Sequence, residues 1–254
     1  MSDILSHTED SVLTLTLHRP DRKNSINRAM YTTLADALDG AAADPAVRVV
    51  VLQGSETVFC AGNDIGEFIE APPVGQDAPA FRFMRCLAAF AKPLVAAVCG
   101  PAVGIGTTML FHCDLVYAGD NAAFSMPFVN LGLCPEAGAS LLAPRMFGYH
   151  RAAEALLLGE PFLAEAALEV GLVNRVVPPS EASRLAAAQA RKLAGKPLEA
   201  LVATKALMRR DPAQLLPQRI ADECDTLGRL VQAPAAQEAF KAFMEKRRPD
   251  FSGL

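Results

Sequence analysis

Two glycine-rich bends hold the residues of this chain best suited to chemistry. The first, Gly100-Pro101-Ala102-Val103-Gly104-Ile105-Gly106, ends an apolar run over 93–99 and leads into 107–113, which reads as a buried helix. Glycines there let the backbone approach a ligand closely, because no Cβ intervenes. A helix start also presents N–H groups without intrahelical partners and the positive end of a dipole. Such a place suits an oxygen that becomes negative during a reaction. The second bend, Gly132-Leu133-Cys134-Pro135-Glu136-Ala137-Gly138, sets one carboxylate among apolar neighbours. Such surroundings raise a carboxyl pKa and suit it to acid–base work. An oxyanion site facing an acid/base is one reading of the pair; two ordinary strand–helix turns is the other, and spacing alone leaves both open.

Two further segments add candidates. In Phe59-Cys60-Ala61-Gly62-Asn63-Asp64-Ile65-Gly66-Glu67-Phe68, Asp64 followed by Glu67 has the spacing of a capping box. Asp64 is then a plain N-cap, and backbone N–H groups just before the helix could supply a second donor to the same oxygen. The turn His18-Arg19-Pro20-Asp21-Arg22-Lys23-Asn24-Ser25 gathers cations, either as a solvated loop or as a clamp for a ligand bearing phosphate.

The elements that must position these residues can be read from periodicity. Residues 12–17 alternate apolar and hydroxyl side chains, as a half-buried strand does. Residues 27–43 place Met30, Leu34, Leu38 and Ala41 on one helical face, and 47–53 is a β-branched strand. A helix over 77–91 is expected to cover the site from outside. A short strand over 123–126, a broken helix over 137–147 with Pro144 near its end, a helix over 149–158 and a last strand over 172–177 follow. Past Pro178-Pro179 only helices are expected, over 181–193, 197–208, 211–231 and 234–246. The chain therefore divides into a strand-and-helix core, 1–178, and a helical region, 179–254.

Composition limits the partners. Of 254 residues 51% are hydrophobic and 20% charged, with Lys+Arg 24 against Asp+Glu 28, a net charge of -4. That balance argues against nucleic acid. Gly, Pro or charge interrupts every apolar stretch short of a membrane span. The polar residues 1–10 do not read as a signal peptide. The end Phe251-Ser252-Gly253-Leu254 only loosely resembles a peroxisomal address, with glycine where a basic residue is usual. Cys60, Cys86, Cys99, Cys113, Cys134 and Cys224 lack paired metal spacing and fit a reducing, cytoplasmic setting. The four histidines form no cluster, so no metal is expected.

Taken together, Arg22-Lys23-Asn24-Ser25-Ile26-Asn27, the 59–65 segment, Lys92-Pro93 through Cys113-Asp114, Pro135-Glu136-Ala137-Gly138 and Gly171-Leu172-Val173-Asn174-Arg175-Val176 resemble the crotonase (enoyl-CoA hydratase/isomerase) superfamily over nearly the whole chain. The resemblance implies an α/β spiral of repeated strand–strand–helix units, with a helical C-terminal region that builds trimers or paired trimers and brings residues 241–248 near a neighbour's ligand site. It implies an acyl-CoA thioester ligand and no separate cofactor, coenzyme A being part of the substrate. By position, the thioester oxygen would lie between the N–H groups of Asn63 and Ile105. Ala61, Gly62, Asp64, Ile65, Gly104 and Phe128 would line the ligand, and Arg22, Lys23 and Ser25 would lie by the coenzyme A moiety. Hydratases of the family carry two glutamates, where this chain has Thr108 and Phe128. Gly104-Ile105-Gly106 also replaces the commoner triple glycine. The remaining Glu136 is similar in placement to the base of Δ3,Δ2-enoyl-CoA isomerases of the peroxisomal type, which act in fatty-acid oxidation. Ring-epoxide isomerases of phenylacetate degradation, a weak hydratase, or a non-catalytic CoA-ester binder are the alternatives.

Overall fold

The computed structural model describes residues 2–253 apart from 74 and 76. Its strands are β1 (Ile4–Glu9), β2 (Val12–Leu17), β3 (Val49–Gln53), β4 (Leu94–Val98), β5 (Pro101–Val103), β6 (Leu115–Gly119), β7 (Ala123–Ser125), β8 (Phe162–Leu163) and β9 (Arg175–Val177). Its α-helices are α1 (Arg28–Ala43), α2 (Ile65–Glu70), α3 (Pro79–Ala89), α4 (Ile105–Thr108), α5 (Ala139–Phe147), α6 (Tyr149–Ala153), α7 (Ala164–Glu169), α8 (Pro179–Ala194), α9 (Leu198–Met208), α10 (Arg210–Leu230) and α11 (Pro234–Met244).

The larger sheet runs β1-β2-β3-β4-β6-β9, parallel throughout except for the β1–β2 hairpin. A smaller sheet, β5-β7-β8, stands beside it. The chain gives a strand to the large sheet, then one to the small layer, then turns into a helix: β4, β5, α4 is one such unit, and β6, β7 begins the next. This is the expected α/β repeat.

Strand β3 shows why the parallel strands read as continuous apolar runs. Val50 and Leu52 point into the main core, whereas Val49 and Val51 point to the opposite face. On that face α8 lies across β3, β4 and β6, presenting small side chains, Ala186 and Ala190, to Val95, Ala97 and Tyr117. The first helix after Pro178 is thus a layer of the sheet's own packing.

Lys92 fastens α1 to the start of β4. Its buried ammonium donates to Ala41 O in the last turn of α1, to Asp44 O at its C-cap and to Val47 O beyond it, at 2.6, 2.7 and 2.8 Å. Asp114 fixes a turn, as a carboxylate there should: Leu94 N and Lys205 Nζ both donate to its Oδ2, at 2.8 and 2.7 Å.

Several expectations need correction. Strand β1 lies in the stretch that looked merely polar; only Ile4 of it is buried, so this edge strand has no alternation to read. Strand β5 lies inside the first glycine bend, where its pairing with β7 supplies the structure that local pattern lacks. Strands β6 and β8 were not anticipated. The buried helix expected over 107–113 begins at Ile105 and tightens into a 3-10 turn, Met109–His112. The 149–158 helix ends in a π-helical turn, Glu154–Leu158. Asp64 caps α2 by accepting from Glu67 N at 3.3 Å, but the reciprocal bond of a capping box is not made. Asp64 N donates instead to Ile26 O, and the Glu67 carboxylate accepts from Arg28 N at 2.6 Å.

Candidate active site

Main-chain pairing brings three distant segments side by side. Residues 24–26 run along 59–64: Ala61 N donates to Lys23 O, Ile26 N to Gly62 O and Asp64 N to Ile26 O, at 2.8–3.0 Å. Buried Asn24 secures this seam, its Nδ2 donating to Phe59 O at 3.1 Å and its Oδ1 accepting from Arg19 N at 2.8 Å. On the other side, Cys60 pairs with Ala102 of β5 as a parallel bridge; Cys60 N donates to Pro101 O and Val103 N to Cys60 O.

The two segments stay close just past the bridge, where a Cβ on Gly62 would stand 3.1 Å from Val103 O. Asn63 and Ile105 each stand three residues beyond the bridge, and each follows a glycine of positive φ, Gly62 at 93° and Gly104 at 54°. Glycine adopts such angles without the strain other residues meet. The approach is close as well: a Cβ on Gly106 would stand 2.7 Å from Cys60 O. Among the described residues no backbone partner is recorded for the N–H of Asn63 or of Ile105. Ile105 is the first residue of α4, where an N–H has no intrahelical partner. An N–H without a main-chain partner, set in a glycine turn, is the kind of donor that suits an oxygen acquiring charge.

The cleft, about 600 Å³, is lined by Arg22, Lys23, Ser25, Ala61, Gly62, Asn63, Asp64, Ile65, Gly104, Phe128 and Glu136. Every predicted side-chain or contact position therefore lines one cavity, and Ile105 lies buried directly behind Gly104. Sequence reading had not assigned Leu227, Phe243 and Met244, which also line it. The last two are the final residues of α11; they border the cleft while remaining more than half exposed.

Glu136 is 3% exposed, and its Oε1 is buried without a hydrogen-bond partner. Burial, and then the nearby Glu223 carboxylate, push its pKa up to about 8. Asp64 is the contrasting carboxylate. Burial alone would raise its pKa, but Arg19 Nη1 donates to its Oδ2 at 2.7 Å, Glu67 N donates to it as well, and the net shift is downward. Cys60 is no nucleophile, since burial pushes its thiol up to about 12.

The main chain around Glu136 is strained. Ala137, a non-glycine residue, has φ 57°, and Gly138 has φ 75°. A left-handed Ala stores about 1–3 kcal/mol that its surroundings must offset. His112, fully buried, donates Nε2–H to Ala137 O at 2.7 Å. Burial depresses its pKa to about 4, which keeps it neutral, with the proton on the nitrogen that faces the carbonyl. Glu223 of α10 accepts from Gly138 N, Ser140 N and Ser140 Oγ. Sequence reading assigned neither residue. The available signal for Glu223 was its place on an otherwise apolar stripe, Leu216, Ile220 and Leu227, where a carboxylate needs a reason to be buried.

Thr108, at one of the two positions where hydratases of the resembled family carry glutamate, is fully buried with its Oγ1 unpartnered. Phe128, at the other, packs against Gly104. Among the described residues no group of His, Cys, Asp and Glu could hold a metal ion, and no helix is long and apolar enough to cross a membrane.

A family model described as Enoyl-CoA hydratase/isomerase matches residues 7–253. The chain is 35% identical over 256 residues to 2,3-dehydroadipyl-CoA hydratase of Escherichia coli, with 100% of each covered. It is 36% identical over 260 residues to 1,2-epoxyphenylacetyl-CoA isomerase of the same organism, covering 100% of this chain and 99% of that one. Against human enoyl-CoA delta isomerase 2 it is 35% identical over 227 residues, 87% of this chain but 57% of the relative. The solved structure of Pseudomonas aeruginosa OdaA superposes with a TM-score of 0.94 at 46% identity, covering 96% of this chain and 99% of that one.

Proposed function

The chain belongs to the enoyl-CoA hydratase/isomerase family, and from that premise we propose that this acyl-CoA enzyme shifts the double bond of a 3-enoyl-CoA to give the 2-enoyl-CoA. The names of its relatives divide between hydratase and isomerase. The observation that favours isomerisation is the count of usable carboxylates in the cleft. Asp21 and Asp64 also line it. Asp21 is exposed at the mouth and Asp64 is held by Arg19. Glu136 alone is buried there with an unpartnered oxygen.

Hydration needs a water deprotonated and a carbon protonated, which two carboxylates serve. Moving a double bond needs one. The Glu136 carboxylate takes a proton from C2, and the electron pair of that C–H bond spreads into a dienolate whose charge rests on the thioester oxygen. The N–H groups of Asn63 and Ile105 stabilise that oxygen, each contributing about 3–4 kcal/mol. The protonated Glu136 then delivers the proton to C4, leaving the double bond between C2 and C3 and the carboxylate regenerated. No oxidant or added cofactor enters the balance. Arg22 and Lys23 at the cleft mouth are the cations on hand for the coenzyme A phosphates.

The test is kcat for 3-enoyl-CoA in Glu136→Gln, beside a CoA-thioester binding measurement. Binding should persist, and the rate should fall about 10²–10⁴-fold. Because the base form is required, wild-type kcat/KM should rise with pH to a midpoint near 8, set by the raised Glu136 pKa. Assays with 2-enoyl-CoA and with a ring-epoxide CoA ester run alongside. Faster turnover of either than of the 3-enoyl ester would replace the proposed reaction with that one.

A further inference from the structure

We propose that Glu223 is a positioning residue for the reaction: its buried carboxylate grips the turn after Glu136 and thereby aims the catalytic carboxyl into the cleft. The inference rests on Glu136 being the base. Glu223 does not line the cleft and touches no reacting atom. It lies on α10, far along the chain, yet both its oxygens face the bend. Oε2 accepts from Gly138 N at 2.6 Å, and Oε1 accepts from Ser140 N at 2.9 Å and from Ser140 Oγ at 2.5 Å. Arg219, one turn earlier on α10, donates Nη1 to the same Ser140 hydroxyl at 3.3 Å.

What is gripped is the pair of left-handed residues, Ala137 and Gly138, that sets the direction of Glu136. The loop has a second fastening, His112 to Ala137 O, and a short internal one, Ala139 N to Glu136 O at 3.0 Å. His112 is neutral and holds a carbonyl. Among the described residues Glu223 holds the N–H side. Burial raises its pKa, against the bonds from Ser140 and Gly138 and the nearby Arg219, which favour the charged form; in that form each bond is strengthened. Its 5% exposure leaves those donors no water to turn to if it is lost.

The same charge also acts on Glu136 through space. The groups around Glu136 are Tyr31 of α1, Cys60, Cys134, and Cys224 and Glu223 of α10. Burial keeps the tyrosine and the three thiols neutral, the thiols at about 11 to 12. Arg219 stands beyond Glu223, by Ser140, Arg229 acts on Cys134, and Arg85 of α3 and Asp225 act on Cys224, whereas the charge that acts on Glu136 is that of Glu223. Glu223 is therefore the charged neighbour of the base, and its removal should let Glu136 ionise at lower pH. A purely structural clamp would leave that midpoint unmoved.

Three variants decide it: Glu223→Gln, Glu223→Asp and Ser140→Ala, each assayed with 3-enoyl-CoA beside Glu136→Gln. Glu223→Gln should lower kcat about 10- to 100-fold while KM stays within about threefold, because the base is misaimed and the ligand walls are intact. The midpoint of kcat/KM against pH should fall below the wild-type value, and a ¹³C titration of the Glu136 carboxyl should show the same fall without turnover. Glu223→Asp, which keeps the charge, should retain the midpoint and lose part of kcat. Ser140→Ala should lose a few-fold in kcat and unfold near the wild-type temperature. If Glu223→Gln does not fold, the other two carry the test. Wild-type kcat and midpoint in folded Glu223→Gln, or wild-type kcat in both of the others, overturns the clamp. Wild-type kcat in Glu136→Gln overturns the base assignment itself; a slow Glu136→Gln beside an unaffected Glu223→Gln overturns the clamp alone.

Discussion

The two glycine-rich bends are built by opposite means. The first, around Gly104 and Ile105, is positioned by main chain: a parallel bridge between Cys60 and Ala102, a strand β5 paired with β7, and glycines that permit close approach. What the proposed reaction asks of it is also main chain, an N–H. The second, around Glu136, is positioned by buried side chains, His112 and Glu223, and presents a side chain. A donor fixed by register is indifferent to the side chain attached to it. An acid/base fixed by side chains depends on every member of the group that holds it.

That contrast can be broken at its strongest point with Ile105→Pro. The position is the first of α4, where proline fits a helix, so the fold should persist while one N–H is deleted. A loss of about 10²–10³-fold in kcat is expected. A folded proline variant with full activity would mean that the first bend does not work through its backbone.

The second bend is sharpened by stability against pH. Glu136 has an ordinary value of 4.5 and a folded value of about 8. Below the ordinary value it is protonated in both folded and unfolded chains and carries no penalty. As pH rises, the unfolded chain releases its proton first, so the group's contribution declines until the folded value is passed. Glu136→Gln never charges. Its melting temperature should therefore gain on that of wild type as pH is raised from about 5 to about 9, by calorimetry. An unchanging gap would show that no buried carboxyl titrates there.

The smallest expected effect is on rate in Asn63→Ala. Its N–H survives, so kcat should change by less than about tenfold, well short of a lost donor. The side chain has a different duty: buried Tyr31 donates its hydroxyl to Asn63 Oδ1. Truncation strands that hydroxyl and should lower stability by about 1–3 kcal/mol in urea titration. A larger loss of kcat than of stability would assign the Asn63 side chain a part in the reaction.

Much of this was legible in the sequence, for physical reasons that can be named. Strand β2 and helix α1 announce themselves because one face of each is buried, and the glycine bends do so because their backbone needs glycine. Glu136 stood out as a carboxylate among apolar residues. Strand β1 was hidden because solvent surrounds all of it but Ile4, and β5 because three residues hold their shape only through β7. His112 and Glu223 were missed as parts of the site because their partners are remote in the chain: His112 bonds to a carbonyl 25 positions away and Glu223 to an amide 85 away. No local pattern encodes such a bond. The Glu67 reading failed for a related reason, a backbone donor 39 positions away, Arg28 N, having claimed the carboxylate.

The cleft joins Asp21–Ser25 residues on one side to Phe243 and Met244 on the other. The two walls are far apart in sequence. Between them comes Glu223, whose bonds hold the Glu136 bend, and α10 and α11 also give Leu216, Ile220, Leu227 and Phe240 to the main core. The bend, the far wall of the cavity and part of the core therefore wait for the same two helices. Contacts so distant in sequence form slowly, because a long loop must close before they stabilise anything. Cavity and core should accordingly be completed in one step of folding rather than in succession.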